Sequence, residues 1–216
     1  LGYEGDMNWM GRSLEDVFSK IAINSTKDIV NVEEEYIFSL NPIDDVTEKY
    51  SKEIILTGTQ KKLRLMVAGP HTESMMYGNM CSHGLTTPLK VYLPLLKLGV
   101  DEFVIVDEKA GTDGVGTGVT TGFNLAVVVA EATTHGVKAA KQIIEMLKFY
   151  KTPFVVIVNK IRNNDEANTY DEEFTRMGAI KIFHFSLDLS CADLKLTDDY
   201  ISEFQKLHSA VIAVHD

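Results

Sequence analysis

The order of apolar and polar residues along the chain predicts an α/β protein. Residues 103–106, 125–132 and 154–158 form short, nearly continuous apolar runs, which are typical of strands buried on both faces of a parallel sheet. A helical pattern capped by Thr133 or Thr134 separates the last two runs. Its apolar face consists of Val137, Ala140, Ile143, Ile144 and Leu147. Two such strands joined by an amphipathic helix predict a βαβ unit.

The remaining pattern extends this prediction to a single three-layer domain over residues 1–216, with a mostly parallel sheet between helices. We expect a buried strand at 63–68 and an outer strand at 180–185, because apolar side chains dominate or alternate there. Pro94 interrupts the helical pattern at 87–98, so we expect a kink or an early end in that helix. The other predicted helices span residues 13–23, 170–177 and 200–214.

Composition narrows the class of function. The chain has 216 residues, a net charge of −10 and two cysteines. Its acidity argues against nonspecific nucleic-acid binding, which depends on clustered Lys and Arg, and no apolar run reaches the ~20 residues that span a bilayer. Few cysteines fit a reducing cytoplasm better than a disulfide scaffold. Because the chain begins at Leu1 rather than Met, we expect an upstream segment.

A candidate ligand site follows the predicted strand at 103–106. Asp107 and Glu108 come directly after this strand, and a glycine-rich loop comes next. A parallel strand that ends in a carboxylate is a common way to present charge to a ligand. The alternative is a surface loop that needs glycine only for turning. The loop glycines are Gly111, Gly114, Gly116 and Gly118.

A second candidate lies in residues 71–84, which are rich in Met, Cys and His. Cys81 and His83 are suitable ligands for zinc or nickel. One Cys and one nearby His make only half a site in one chain, so a complete site requires two protomers. The alternative is that the methionines form adaptable packing surface.

Three ordered motifs give the chain a resemblance to a known family. They are D-x-x-A-G at 107–111, an apolar strand with a Thr-capped helix at 129–134, and V-N-K at 158–160. Together they resemble the MinD/ParA-type P-loop ATPases. Within that class the chain is most similar to the CooC-type ATPases, accessory proteins that assist nickel insertion into carbon monoxide dehydrogenase. The closer similarity rests on residues 41–51, 78–84 and 110–118.

The resemblance covers about residues 38–190 and implies a P-loop NTPase-like fold with roles for individual residues. It implies that Asp107 helps to hold the Mg²⁺ of Mg-ATP and that the backbone N–H of Gly111 lies near the γ-phosphate. Asn159 is implied to contact adenine, with Lys160 beside it in the nucleotide site. The alternatives are a strand-end cap for Asn159 and a solvated side chain for Lys160.

Two departures from the family pattern change what the resemblance implies. No Walker A motif, G-x4-G-K-S/T, occurs in the sequence, so we expect the phosphate cradle in an upstream βα unit. ATP hydrolysis depends on that unit. The family's G-C-x-C motif has Asn79 in place of its first Cys. A zinc or nickel site at a dimer interface then has Cys81 from each protomer, with His83 as the substitute ligand.

These observations predict a cytoplasmic, ATP- and ADP-binding homodimer that serves a client metalloenzyme resembling carbon monoxide dehydrogenase, without a membrane span or direct nucleic-acid contact. Two alternatives remain open: a MinD/ParA-like positioning ATPase, and a non-hydrolysing interaction module that has lost its Walker A motif. A dinucleotide-dependent oxidoreductase is poorly supported, because the loop glycines do not have G-x-G-x-x-G spacing.

Overall fold

The computed structural model describes residues 7–21, 37–55, 62–70, 73, 77, 82–190 and 196–215. The chain divides into two compact units, Leu1–Asp107 and Glu108–Asp216. Both units contain helices and parallel strand pairs, so the predicted α/β class is confirmed. Within the described ranges, no helix combines the length and the hydropathy needed to cross a membrane.

The N-terminal unit joins short helices to two separate strand pairs. Strands β1 and β4 pair in parallel, whereas β2 and β3 form an antiparallel hairpin. The elements are a 3-10 helix Met10–Arg12, α1 Leu14–Lys20, β1 Phe38–Ser39, α2 Asp45–Tyr50, β2 Ser51–Ile55, β3 Lys62–Met66, a 3-10 helix Ser82–Thr86, α3 Thr87–Tyr92, a 3-10 helix Leu93–Leu95 and β4 Leu96–Lys97.

One strand prediction in this unit is wrong, and another is confirmed as a strand but not as a buried one. Residues 63–68 were expected to form a buried strand, but β3 pairs in a hairpin and is largely exposed. Residues 102–109 have no regular secondary structure, and the side chain of Ile105 is 93% exposed. A strand needs a partner ladder to satisfy its backbone N–H and C=O groups. The apolar run at 103–106 has no such ladder among the described residues.

The prediction for Pro94 is confirmed. Helix α3 ends at Tyr92, and the chain continues as the 3-10 helix Leu93–Leu95. A proline inside an α-helix removes one backbone hydrogen bond and clashes with the preceding turn. The predicted helix at 87–98 is therefore shortened at its C-terminal end.

A buried polar network links α2 to α3. The Asp44 side chain accepts from the backbone N–H of Val46 at 2.9 Å and of Thr47 at 3.0 Å, which caps α2. The Thr47 hydroxyl also contacts Asp44, and it lies 2.6 Å from the Tyr92 hydroxyl. Because an ionised carboxylate only accepts, Thr47 donates to Asp44 and Tyr92 donates to Thr47.

This network predicts a loss of stability at alkaline pH. Burial raises the pKa of Tyr92 to about 12, from an ordinary value of 10.0. The folded chain therefore binds this proton more tightly than the unfolded chain. The resulting stability is complete below pH 10 and disappears as pH rises towards 12, a loss of about 2 kcal/mol.

Urea denaturation at several pH values checks this prediction. The difference in unfolding free energy between the parent and Tyr92→Phe should shrink steadily above pH 10, because the variant has no phenolic proton to lose. Tyr77→Phe is the matched control, since the Tyr77 side chain is exposed. Parallel pH profiles for the parent and Tyr92→Phe would contradict the assignment.

The C-terminal unit contains a three-stranded parallel sheet in the order β5-β6-β7. Helix α5 connects β5 to β6, so the predicted βαβ unit is confirmed. The elements are α4 Thr112–Gly116, a 3-10 helix Val119–Gly122, β5 Ala126–Glu131, α5 Thr134–Tyr150, β6 Phe154–Ile161, α6 Asn164–Thr169, α7 Asp171–Arg176, β7 Ile182–Ser186 and α8 Asp198–His215.

Helices cover both faces of this sheet, but not along its whole width. On one face, buried residues of α5 and α7, such as Ile144 and Phe174, share a core cluster with β5 and β6. On the other face, α8 packs on β6 and β7 through Leu207. The outward side of β5 is uncovered, and Val129 is 58% exposed. The predicted burial on both faces therefore holds for β6 and fails for β5.

Candidate functional site

The strongest candidate site lies where β5 and β6 end. Glu131, the last residue of β5, pairs in register with Asn159 of β6. Because the strands are parallel, this register places a carboxylate and an amide on neighbouring strands at the same edge of the sheet. Open α/β sheets bind ligands beyond the carboxyl ends of their strands. We call Glu131, Asn159 and Lys160 the carboxyl edge.

A β-bulge shapes this edge. Val158 pairs with His184 and Ile161 pairs with Ser186, so two residues of β6 lie opposite a single residue of β7. The two bulged residues are Asn159 and Lys160, and Lys160 has φ of 60°. This left-handed conformation costs roughly 1–2 kcal/mol for a residue other than glycine. Bulges of this kind re-aim side chains and occur often beside active sites.

The amide of Asn159 is held by its oxygen. Its Oδ1 accepts from the backbone N–H of Lys160 at 2.8 Å and from the Tyr200 hydroxyl at 3.2 Å. This arrangement includes the strand-end cap named as the alternative role for Asn159. With both lone pairs of Oδ1 engaged, the amide offers a ligand the two N–H donors of Nδ2.

An ion pair joins the ends of the two strands. The Lys160 ammonium contacts the Glu131 carboxylate, with 55% of the lysine side chain and 51% of the glutamate side chain exposed. Exposed pairs of this kind add little to stability. The effect of this pair at the site is electrostatic, because Glu131 cancels the positive charge that Lys160 brings to the carboxyl edge.

The junction between β5 and α5 fixes the backbone of Glu131. Thr133 caps α5, since its hydroxyl accepts from the backbone N–H of Gly136 at 3.0 Å. A Cβ atom on Gly136 would lie 2.5 Å from the backbone oxygen of Glu131. Glycine is therefore required at this position for the first turn of α5 to approach the end of β5.

Of the residues singled out in the sequence, Asn159 and Lys160 lie at the carboxyl edge, as consecutive residues of β6. Gly111 has φ of 88°, as expected for the glycine loop, and precedes α4. Helix α4 lies against the C-terminal half of α5, because a Cβ on Gly116 would contact Met146 at 3.2 Å. The carboxyl edge adjoins the first turn of α5, so Gly111 is not placed beside it. A phosphate role for Gly111 stays a prediction.

The proposed metal ligands are placed as follows. Asp107 is exposed and is the last residue of the N-terminal unit. His83 lies in the 3-10 helix Ser82–Thr86, and Cys81 lies outside the described residues. The described part of the chain holds no group of three His, Cys, Asp or Glu side chains suited to a metal ion. The magnesium site at Asp107 and the dimer-shared site both stay predictions.

Two residues of this region were missed in the sequence analysis. Glu131 was included in an apolar strand at 125–132, although a charged residue near the end of such a run is a visible signal. Tyr200 belongs to α8, and its contact with Asn159 spans 41 residues of sequence. No local pattern predicts that contact.

The carboxyl edge thus combines amide donors, a neutralised lysine and a bulged strand end. Its residues can bind an uncharged polar group by hydrogen bonding more readily than they can bind a polyanion. Comparisons with protein-family models, with curated proteins and with solved structures gave no match for this chain.

Proposed function

We propose that the chain is a nucleotide-binding protein of the MinD/ParA type, acting as an ATP-dependent accessory protein of the CooC type, and that its carboxyl edge binds the adenine base. The observation that carries the proposal is the position of Asn159. It lies in a β-bulge at the end of a central parallel strand, with its amide oxygen engaged and its N–H donors available.

The chemistry of adenine fits this arrangement. The ring nitrogens of adenine accept hydrogen bonds, and an Asn amide can donate to them. Asn159 is half-buried, so a hydrogen bond made there is less exposed to competition from water. The V-N-K motif that suggested this role in the sequence supports the same residue.

The remaining parts of the proposal come from the resemblance alone. Asp107 holds Mg²⁺ with the nucleotide, ATP binding closes a homodimer, and the Cys81 region delivers nickel to a client metalloenzyme. For ATP binding to close a homodimer, the nucleotide must make contacts that form only in the closed state and not in the open one. The second candidate function is a non-hydrolysing interaction module, which the lack of a Walker A motif in these 216 residues favours.

Binding of adenosine to the full chain, measured by calorimetry, tests the base site. Asn159→Asp keeps an oxygen acceptor for Lys160 and Tyr200 but removes both N–H donors. It should weaken adenosine binding about tenfold, the cost of roughly one to two lost hydrogen bonds. Adenosine has no phosphate, so the new negative charge does not bias the comparison.

Asn124→Asp is the matched control, because Asn124 is exposed and precedes β5 at the opposite end of the strand. It should bind adenosine as the parent does. Parent-like adenosine affinity in a folded Asn159→Asp protein would contradict the base site. A parent chain that binds neither adenosine nor ADP would favour the interaction module.

A further inference from the structure

We infer that Glu131 is a specificity-determining residue, which neutralises Lys160 and reserves the carboxyl edge for the uncharged nucleoside part of the ligand. This inference rests on the proposed nucleotide function and names what the same site selects. The observation behind it is the ion pair between Lys160 and Glu131 across two adjacent strand ends.

The backbone places both partners of this pair. Glu131 is fixed by its register with Asn159 and by the close approach of Gly136. Lys160 is fixed by the bulge, where its positive φ is maintained by the pairing of β6 with β7 on either side. The strand register and the bulge therefore bring these two side chains within reach of each other.

The pair decides how the edge interacts with charge. Lys160 alone would attract the phosphates of a nucleotide, whereas the neutralised pair does not. A phosphate near Lys160 would also lie near the Glu131 carboxylate, in a chain whose net charge is −10. A nucleotide whose base contacts Asn159 is therefore expected to direct its phosphates away from the ends of β5 and β6.

This account predicts similar affinities of the parent chain for adenosine and ADP. Glu131→Gln keeps the side chain's size but releases the lysine charge. In Glu131→Gln the released Lys160 charge can draw a phosphate back to the strand ends. One unpaired charge about 4 Å from a phosphate in water changes affinity about fivefold, so ADP should bind this variant about three- to fivefold more tightly. Adenosine affinity should change less than ADP affinity does, and added salt should erase the gain for ADP.

The reciprocal variant and a matched control separate charge from structure. Lys160→Met leaves Glu131 unneutralised and should weaken ADP binding relative to adenosine. Glu173→Gln breaks the Lys141–Glu173 pair in the same unit and should leave both affinities as in the parent. Equal changes for adenosine and ADP in Glu131→Gln would overturn the inference and make Glu131 a ligand of the nucleoside itself.

A probe without a base tests the inference separately from the proposed function. Lysines of the full chain are methylated with ¹³C, and the Lys160 resonance is assigned with Lys160→Arg. Inorganic pyrophosphate should shift this resonance in Glu131→Gln at several-fold lower concentration than in the parent. Identical titrations would overturn the role of Glu131, whereas lack of adenosine binding alone would refute only the base site.

Discussion

Replacement of Phe174 by alanine should lower the free energy of unfolding by about 3 to 5 kcal/mol, the usual cost of removing a fully buried phenyl ring. Phe174 lies in α7 with no solvent exposure, in the same core cluster as Ile144, Val156 and Val158. The variant loses the transfer free energy of the ring and leaves a cavity that the central strand β6 cannot collapse to fill.

Urea denaturation followed by far-ultraviolet circular dichroism measures this loss. The midpoint should fall while the slope stays constant, since the exposed area on unfolding is nearly the same. Phe149→Ala is the matched control, because Phe149 belongs to the same unit and is 80% exposed. It should change the unfolding free energy by about 0.5 kcal/mol or less. Equal losses in the two variants would show that Phe174 is not a core residue.

Replacement of Gly136 by alanine should destabilise the protein by about 3 kcal/mol, the upper end of the usual cost of overpacking. Inside an ordinary helix the same change stabilises by about 0.5 to 1 kcal/mol. The opposite sign is expected here because the new Cβ would lie 2.5 Å from the backbone oxygen of Glu131. Neither the strand end nor the first turn of α5 can move without breaking hydrogen bonds.

Thermal unfolding of Gly136→Ala, with Gly116→Ala as the control, tests this predicted destabilisation. At Gly116 the new Cβ would meet only the terminal methyl of Met146 at 3.2 Å, which can rotate away. Gly116→Ala should therefore melt near the parent temperature. A Gly136→Ala protein that melts at or above the parent temperature would refute the tight junction.

The sequence predicted those parts of the fold that depend on local pattern. Strands β5 and β6 and helix α5 follow from apolar runs and helical spacing between residues 125 and 158, and Pro94 ends α3 through its own backbone chemistry. The strand at 103–106 was predicted from the same kind of apolar run, and that prediction is wrong. Whether an apolar run becomes a strand depends on a partner ladder, which is not a local property.

The candidate site was predictable in part for the same reason. Asn159 and Lys160 were singled out by the V-N-K motif of the family resemblance. The ion pair between Lys160 and Glu131 joins residues that are 29 positions apart, so it emerges only once β5 and β6 pair in register. The bulge depends likewise on the pairing of β6 with β7, which periodicity does not specify.

The bulge also allows β6 to place apolar residues in the core while Asn159 and Lys160 lie at its carboxyl edge. Phe154, Val156 and Val158 alternate into one core cluster, and Ile161 joins it three positions later instead of two. Loss of one codon at Lys160 would bring the isoleucine into step with that alternation and move Asn159 onto the regular strand. A homologue shorter by this single residue would thus retain the hydrophobic interior while losing the bulge that shapes the proposed base site, so an alignment gap here distinguishes relatives that share the architecture from those that also keep the proposed site.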